Sequence, residues 1–211
     1  NSTDRIKDYT KVLQCCGPFV DFATINVSSP NTENLRDFQE KNSLEHLVYQ
    51  VLDCRYNLKN KIPIFLKIAP DLSLRQIDDI AEIALKMDID AIVATNTTTD
   101  RQGIKSKLKN EKGGLSGKPL FPKSTWVLAH LSERLNNKVE LIGVGGISSA
   151  IDAYQKLLAG ATVVQLYTGL VYNGLGLVSE INKGLNTILT KYGVNHVSQI
   201  VGKERRNYLK I

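Results

Sequence analysis

The 211 residues are 42% hydrophobic and carry 27 Lys and Arg against 21 acids, a net charge of +6. That length and apolar content suit one ordinary soluble domain with a buried core and exclude a disordered or collagen-like chain. Apolar runs such as "LIGVGGI" fall far short of the roughly 18 residues that span a bilayer, and the first residues lack a signal-peptide layout.

In chain order, a helical pattern from about Asp4 to Gln14 leads into "FVDFATINV", a run rich in β-branched and aromatic residues that reads as a strand. It ends in "NVSSPNT", Asn26 to Thr32, a cluster of short polar side chains without His, Asp or Glu. A helix from about Ser43 to Asn57 precedes the strand "IPIFLKI", in which Lys67 is the only charge. A lone buried ammonium is costly unless paired, so Lys67 needs a partner: a structural ion pair, or an electron-rich ligand that gains negative charge. Ser73 is placed to cap the next helix, whose Leu74, Ile77, Ile80, Ala81 and Leu85 share one stripe.

The strand "DAIVATN" follows and ends at Asn96 and Thr97, whose amide and hydroxyl suit a flat heterocycle with alternating C=O and N–H groups or, equally, an Asx-type turn. The long loop after it carries "GGLSGKPL", in which Ser116 and Gly117 are candidate ligand contacts unless the loop is simply a mobile surface segment. Helices from about Lys123 to Arg134, Ala150 to Leu158 and Gly174 to Lys191 alternate with the strands "VELIGVGG" and "ATVVQLYT". Strands that are nearly continuous apolar runs, alternating with helices, imply an α/β fold on a parallel sheet covered on both faces.

The polar residues gather at strand carboxyl ends, the edge that carries the site in such folds. Gly145 and Gly146 before a helix, with Tyr167 and Thr168 after the next strand, resemble the phosphate cradle built after strands seven and eight of a (β/α)8 barrel. On that count roughly strands 4 to 8 are present, within one domain spanning residues 1–211, and the chain reads as a piece of a longer one. His46, His130 and His196 lie away from strand ends, so neither a His-based triad nor a metal site is expected. Cys15, Cys16 and Cys54 are an odd set without C-x-x-C spacing, which fits a reducing intracellular compartment, and the N-x-S/T matches at Asn26 and Asn96 are read as coincidence. The basic clusters "KSKLKNEK" and "KERRNYLK" lack interleaved aromatics, so no nucleic-acid partner is expected, and the positive charge better serves an anionic small molecule.

Taken together, "NVSSPNT", "LKIAPDL", "TNTT", "GGLSGKPL", "IGVGGISS" and "QLYTG" resemble the class 2, quinone-linked dihydroorotate dehydrogenases in order and spacing over nearly the whole chain. The resemblance implies an FMN-binding (β/α)8 TIM barrel, represented here by its carboxyl-terminal portion. It implies oxidation of dihydroorotate to orotate in pyrimidine biosynthesis, with ubiquinone reached through an amino-terminal region that also associates with a membrane. The expected location is the mitochondrial inner membrane or, alternatively, the cytoplasmic face of a bacterial inner membrane.

By the same resemblance Ser29 is the base that takes a proton from C5 while hydride leaves C6, with Thr32 and a buried water as helper. Serine at this position, where class 1 enzymes carry cysteine, is the main sequence reason for assigning class 2. Asn26, Asn31, Asn96 and Thr97 would hold the pyrimidine, and Lys67 would stand beside the flavin. Asn1, Asn26, Thr95, Ser116, Gly117, Gly145, Gly146, Tyr167 and Thr168 would complete the cofactor site, the last three nearest the phosphate. The competing readings are another FMN-dependent pyrimidine oxidoreductase and a non-catalytic barrel that binds a phosphorylated ligand.

Overall fold

A computed structural model describes residues 4–210. Five parallel strands form one sheet in the order β1-β2-β3-β4-β5: Ala23–Asn26, Ile64–Ile68, Ala91–Ala94, Glu140–Val144 and Val163–Gln165. The helices are α1 (Arg5–Cys16), α2 (Lys41–Tyr56), α3 (Leu74–Lys86), α4 (Phe121–Leu135), α5 (Ala150–Ala159), α6 (Thr168–Asn173) and α7 (Leu177–Lys191). Successive parallel strands joined by helices in simple sequence order form a partial (β/α) barrel.

Most of the core lies between sheet and helices. Ile64, Leu66 and Ile68 of β2 pack with Leu44, Leu47, Ile77, Ile80 and Leu128 from the covering helices. The other sheet face carries a smaller cluster, Ala91, Val93 and Ile142 with Phe65 and Val144. Lys67 alternates with Leu66 and Ile68 and so falls on this second face. The expectation of strands buried on both faces therefore holds fully for β3, while β2 alternates.

Local signals explain the boundaries. Ser73 caps α3 in a reciprocal capping box with Gln76. Ser149 accepts a hydrogen bond from the Asp152 N–H and starts α5, which ends at Gly160 with φ of 126°. The first strand is shorter than the apolar run suggested, because Gly17–Phe19 forms a 3-10 turn and leaves Phe19 86% exposed.

Strand register aligns the carboxyl ends. Asn26 pairs with Lys67, Ile68 with Ala94, Ala94 with Gly143, and Val144 with Gln165. Residues scattered from position 26 to position 168 thus share one rim.

Candidate active site

At the β1 end of the rim, Ser28 is fully buried and binds two asparagines. Its hydroxyl donates to Asn26 Oδ1 at 2.9 Å and accepts from Asn96 Nδ2 at 3.0 Å. Asn96 Nδ2 also reaches Asn26 Oδ1 at 3.4 Å, and Asn96 Oδ1 accepts from the Thr97 N–H at 2.8 Å. Asn26 Oδ1 is therefore engaged, so this side chain presents its N–H2 donors outward, while Asn96 keeps a spare acceptor lone pair. A donor beside an acceptor matches the edge of a ring with alternating C=O and N–H groups.

The loop "SSPNT" continues from this network. Ser29 is half-buried and its Oγ accepts from the Asn31 N–H at 3.2 Å; Asn31 and Thr32 are exposed. The loop lies against Gly113 and Gly114. A Cβ on Gly113 would stand 3.5 Å from Asn31 Oδ1, and one on Gly114 would collide with Thr97 Oγ1 at 1.7 Å and meet Pro30 at 3.0 Å. Gly114 is thus required by close approach.

A cavity of about 920 Å³ opens beside the network, within the size range of small-molecule sites. Its lining includes Lys67, Thr95, Asn96, Thr97, Ser116, Gly117, Gly145, Gly146, Tyr167 and Thr168. Asn26, Ser29, Asn31 and Thr32 are not part of that lining, and Asn26 joins it through Asn96. Asn1 lies outside the described residues. Lys67 makes no ion pair among the described residues, which removes the structural-pair alternative, and burial pushes its ammonium below the usual lysine range. An unpaired cation lining a cavity is suited to an anionic or electron-rich guest.

Ser116 and Thr168 share a 2.9 Å hydrogen bond, which joins the long β3 loop to the start of α6. That loop is held in place. Thr98 and Leu115 form an antiparallel bridge, and Arg101 donates to the carbonyls of Thr98 at 3.0 Å and Gly113 at 2.6 Å. Gly145 and Gly146 have φ of 115° and 79°, and a Cβ on Gly146 would stand 2.8 Å from Phe121 N and Cα. Only glycine fits this turn, which lets backbone N–H groups approach an anion closely. The hydroxyls, the lysine and this cradle fit the demands of a phosphorylated flavin.

Several residues that support the site escaped the sequence reading. Arg36, in the 3-10 turn Leu35–Gln39, donates to Ser28 O at 3.2 Å and Thr97 O at 2.9 Å, and pairs with Asp71 at 3.0 Å. Asp71 also accepts from Thr98 Oγ1, from the Thr99 N–H at 3.0 Å and from Lys123 at 3.2 Å. Burial pushes the Asp71 carboxyl up, but these bonds outweigh it and hold the group below its ordinary value. Asp71 falls within the motif "LKIAPDL", just past the end of a strand, but neither signal names its partners. Lys156 is fully buried on α5 and bonds Ser124; its signal is a lysine three residues after Ala153 on the buried stripe.

The family model for dihydroorotate dehydrogenase matches residues 1–189. A dihydroorotate dehydrogenase (quinone) of Cereibacter sphaeroides is 50% identical over 209 residues, covering 99% of this chain and 59% of that protein. One of Brucella ovis is 44% identical over 213 residues, covering 99% of this chain and 58% of its own length. The chain therefore spans about three fifths of the length of these curated relatives. Among solved structures, a DHODH of Eimeria tenella in complex with ferulenol superposes with a TM-score of 0.93 at 31% identity, over 98% of this chain and 60% of that one. The ligand-free form from the same organism gives 0.94 at 31% identity, over 98% and 62%.

Proposed function

This chain belongs to the dihydroorotate dehydrogenase family, and we propose from that premise that it is the carboxyl-terminal portion of an FMN-binding (β/α)8 barrel that oxidises dihydroorotate to orotate with a quinone as final acceptor. The observation that carries the reading is the Asn26–Ser28–Asn96 network meeting, at one rim, a cavity lined by Lys67 and the Gly145–Gly146 turn.

The roles follow from the groups that remain free. Asn26 donates to a carbonyl or carboxylate oxygen of the pyrimidine and Asn96 accepts from a ring N–H, which orients the ring. Thr97 lines the cavity and completes the hold from the β3 side; Asn31, on the loop packed against Gly113, is assigned to the pyrimidine by resemblance. Ser29 takes the C5 proton; an alcohol is a poor base at neutral pH, so the proton must pass onward, and Thr32 with a water is the relay. When bound, the flavin supplies the acceptor for the hydride that leaves C6. Lys67 places a positive charge where electron density builds up in the cavity. Thr95, Ser116, Gly117, Tyr167 and Thr168 border the cofactor, and Gly145 with Gly146 receives its phosphate; Asn1 is assigned to this site by resemblance.

Quinone access and peripheral membrane attachment are assigned to sequence outside this chain. No helix among the described residues is long and apolar enough to cross a membrane. The relatives named above from Cereibacter and Brucella are bacterial, which favours the bacterial inner membrane. The mitochondrial alternative has no support from them.

An anaerobic visible spectrum of the intact protein, before and after addition of dihydroorotate, tests the proposal. Bleaching of a bound flavin is the expected result. A bound flavin that stays oxidised overturns the substrate, and a colourless protein that takes up no FMN overturns the cofactor.

A further inference from the structure

Lys156 is the only charged side chain among the described residues that is 0% exposed, and no carboxylate bonds it. Its Nζ donates to Ser124 Oγ at 2.6 Å and stands 4.8 Å above the Phe121 ring. Ser124 Oγ lies 3.1 Å from Gly145 O and 3.2 Å from Phe121 O, either of which can take its hydroxyl hydrogen. The first turn of α4 also forms the floor beneath the two glycines. A Cβ on Gly145 would stand 2.8 Å from Ser124 Oγ, and one on Gly146 would stand 2.5 Å from Phe121 Cβ. The buried ammonium is thus one hydroxyl away from the backbone of the turn that borders the cavity.

We propose that Lys156 is a positioning residue of this cradle, acting through Ser124 on the Gly145 carbonyl, and that it makes the hold on a phosphate-bearing ligand depend on pH. The inference rests on the flavin reading above and assigns one residue's part in it.

The chemistry is that of one shared hydrogen. A charged ammonium can only donate, so the Ser124 hydroxyl hydrogen is turned away from it, toward Gly145 O or Phe121 O. A neutral amine has a lone pair and can take that hydrogen, which releases the Gly145 carbonyl. Burial pushes the Lys156 ammonium down to about 7, with Asp152 opposing the shift. Asp152 lies one turn earlier on α5 and is itself held by Ser148 N and Oγ at 2.9 and 3.0 Å. It is the only charged group that acts on Lys156 among the described residues; α4 presents Phe121 and Ser124, and β4 presents Gly143.

A phosphate dianion at the cradle favours the charged form of Lys156, so binding above pH 7 takes up a proton. Affinity therefore weakens as pH rises through and above 7, by at most about tenfold per pH unit for one proton.

The test measures dissociation constants of FMN and of riboflavin, which lacks the phosphate, for the intact protein stripped of flavin, from pH 7 to 9.5, where the phosphate is a dianion throughout. For the wild type, the FMN constant is expected to rise with pH more steeply than the riboflavin constant. Lys156→Met is expected to flatten the FMN profile toward that of riboflavin. Equal slopes for FMN and riboflavin in the wild type overturn the proposal even if the variant fails to fold, as do equal FMN slopes in wild type and variant. Failure of the wild type to bind FMN at every pH instead overturns the flavin reading on which it rests.

Discussion

At the scale of the residue, Lys67 and Lys156 are both cations shifted downward by burial, and their different surroundings lead to different consequences. Lys156 has a folded value of about 7 against an ordinary 10.5, so between those limits the unfolded chain holds a proton that the folded one lacks. Stability therefore rises with pH across that window, by up to about 1.4 kcal/mol per unit, and is lowest below pH 7. Chemical denaturation of flavin-free protein at pH 7 and pH 9 checks this: the stability of Lys156→Met relative to wild type should fall between the two. Lys67 is partly open to solvent and lines the cavity. Lys67→Met should retain flavin less well or lower its reduction potential, read by equilibrium dialysis and spectroelectrochemistry; full occupancy with an unchanged potential would remove its electrostatic role. Ser29→Ala should leave FMN bound while slowing flavin reduction by about a hundredfold or more, the range for loss of a positioned base. Stopped-flow reduction at the parent's rate would reassign the base.

At the scale of the element, the rim is stitched by one arginine and one aspartate. Arg36 ties the loop after β1 to the end of β3 through the carbonyls of Ser28 and Thr97, and Asp71 anchors it from the loop after β2. A lysine has no planar fork to reach all three acceptors, so Arg36→Lys should behave as a loss. The expected cost is about 1–3 kcal/mol of stability, from partly buried charge-assisted bonds, together with lower kcat/KM as Ser29 and Asn96 lose their support. An unchanged kcat/KM would show that the loops hold their places without the arginine. Asp71 contributes stability that is present above its unfolded value of 3.8 and lost as pH falls through its lower folded value. The Gly145–Gly146 turn sets a second element-scale limit. Gly146→Ala forces a side chain into a positive-φ position against the backbone of Phe121, and should cost about 1–3 kcal/mol while sharply weakening FMN affinity. Thermal melts paired with a flavin titration separate the two effects.

At the scale of the whole molecule, β1 and β5 are the outer strands of the sheet, each with one edge that no other strand among the described residues pairs. Beside β1 lies an open, largely apolar groove of about 370 Å³ lined by Val12, Leu13, Val20 and Ile25, among others. Open edges with apolar surroundings invite pairing with another chain. Residues 4–210 prepared alone should therefore self-associate at micromolar concentration, and Thr24→Lys on β1 should reduce that association in sedimentation velocity. A folded, strictly monomeric species would argue against reading this chain as a portion of a closed barrel.

How much of this was legible beforehand depends on the range of the interaction. The five strands, their parallel α/β arrangement, the Ser73 cap and the polar strand ends follow from patterns within a few residues, because side-chain period and capping are local properties of the backbone. The short helix α6 was not visible, since "TGLVYN" is a turn and a half of helix and too brief to show an apolar stripe. Asn26 and Asn96 were recognisable as candidates, but not the buried Ser28 that joins them across 68 positions to Asn96. Arg36 and Asp71 lie 35 residues apart, and Lys156 and Ser124 lie 32 apart. Such pairs exist only once the parallel register has brought separate strand ends and helix termini to one rim. The amino-acid order determined which chemical groups were available and on which elements; packing alone decided which of them touch, which are denied water, and hence which can hold or move charge.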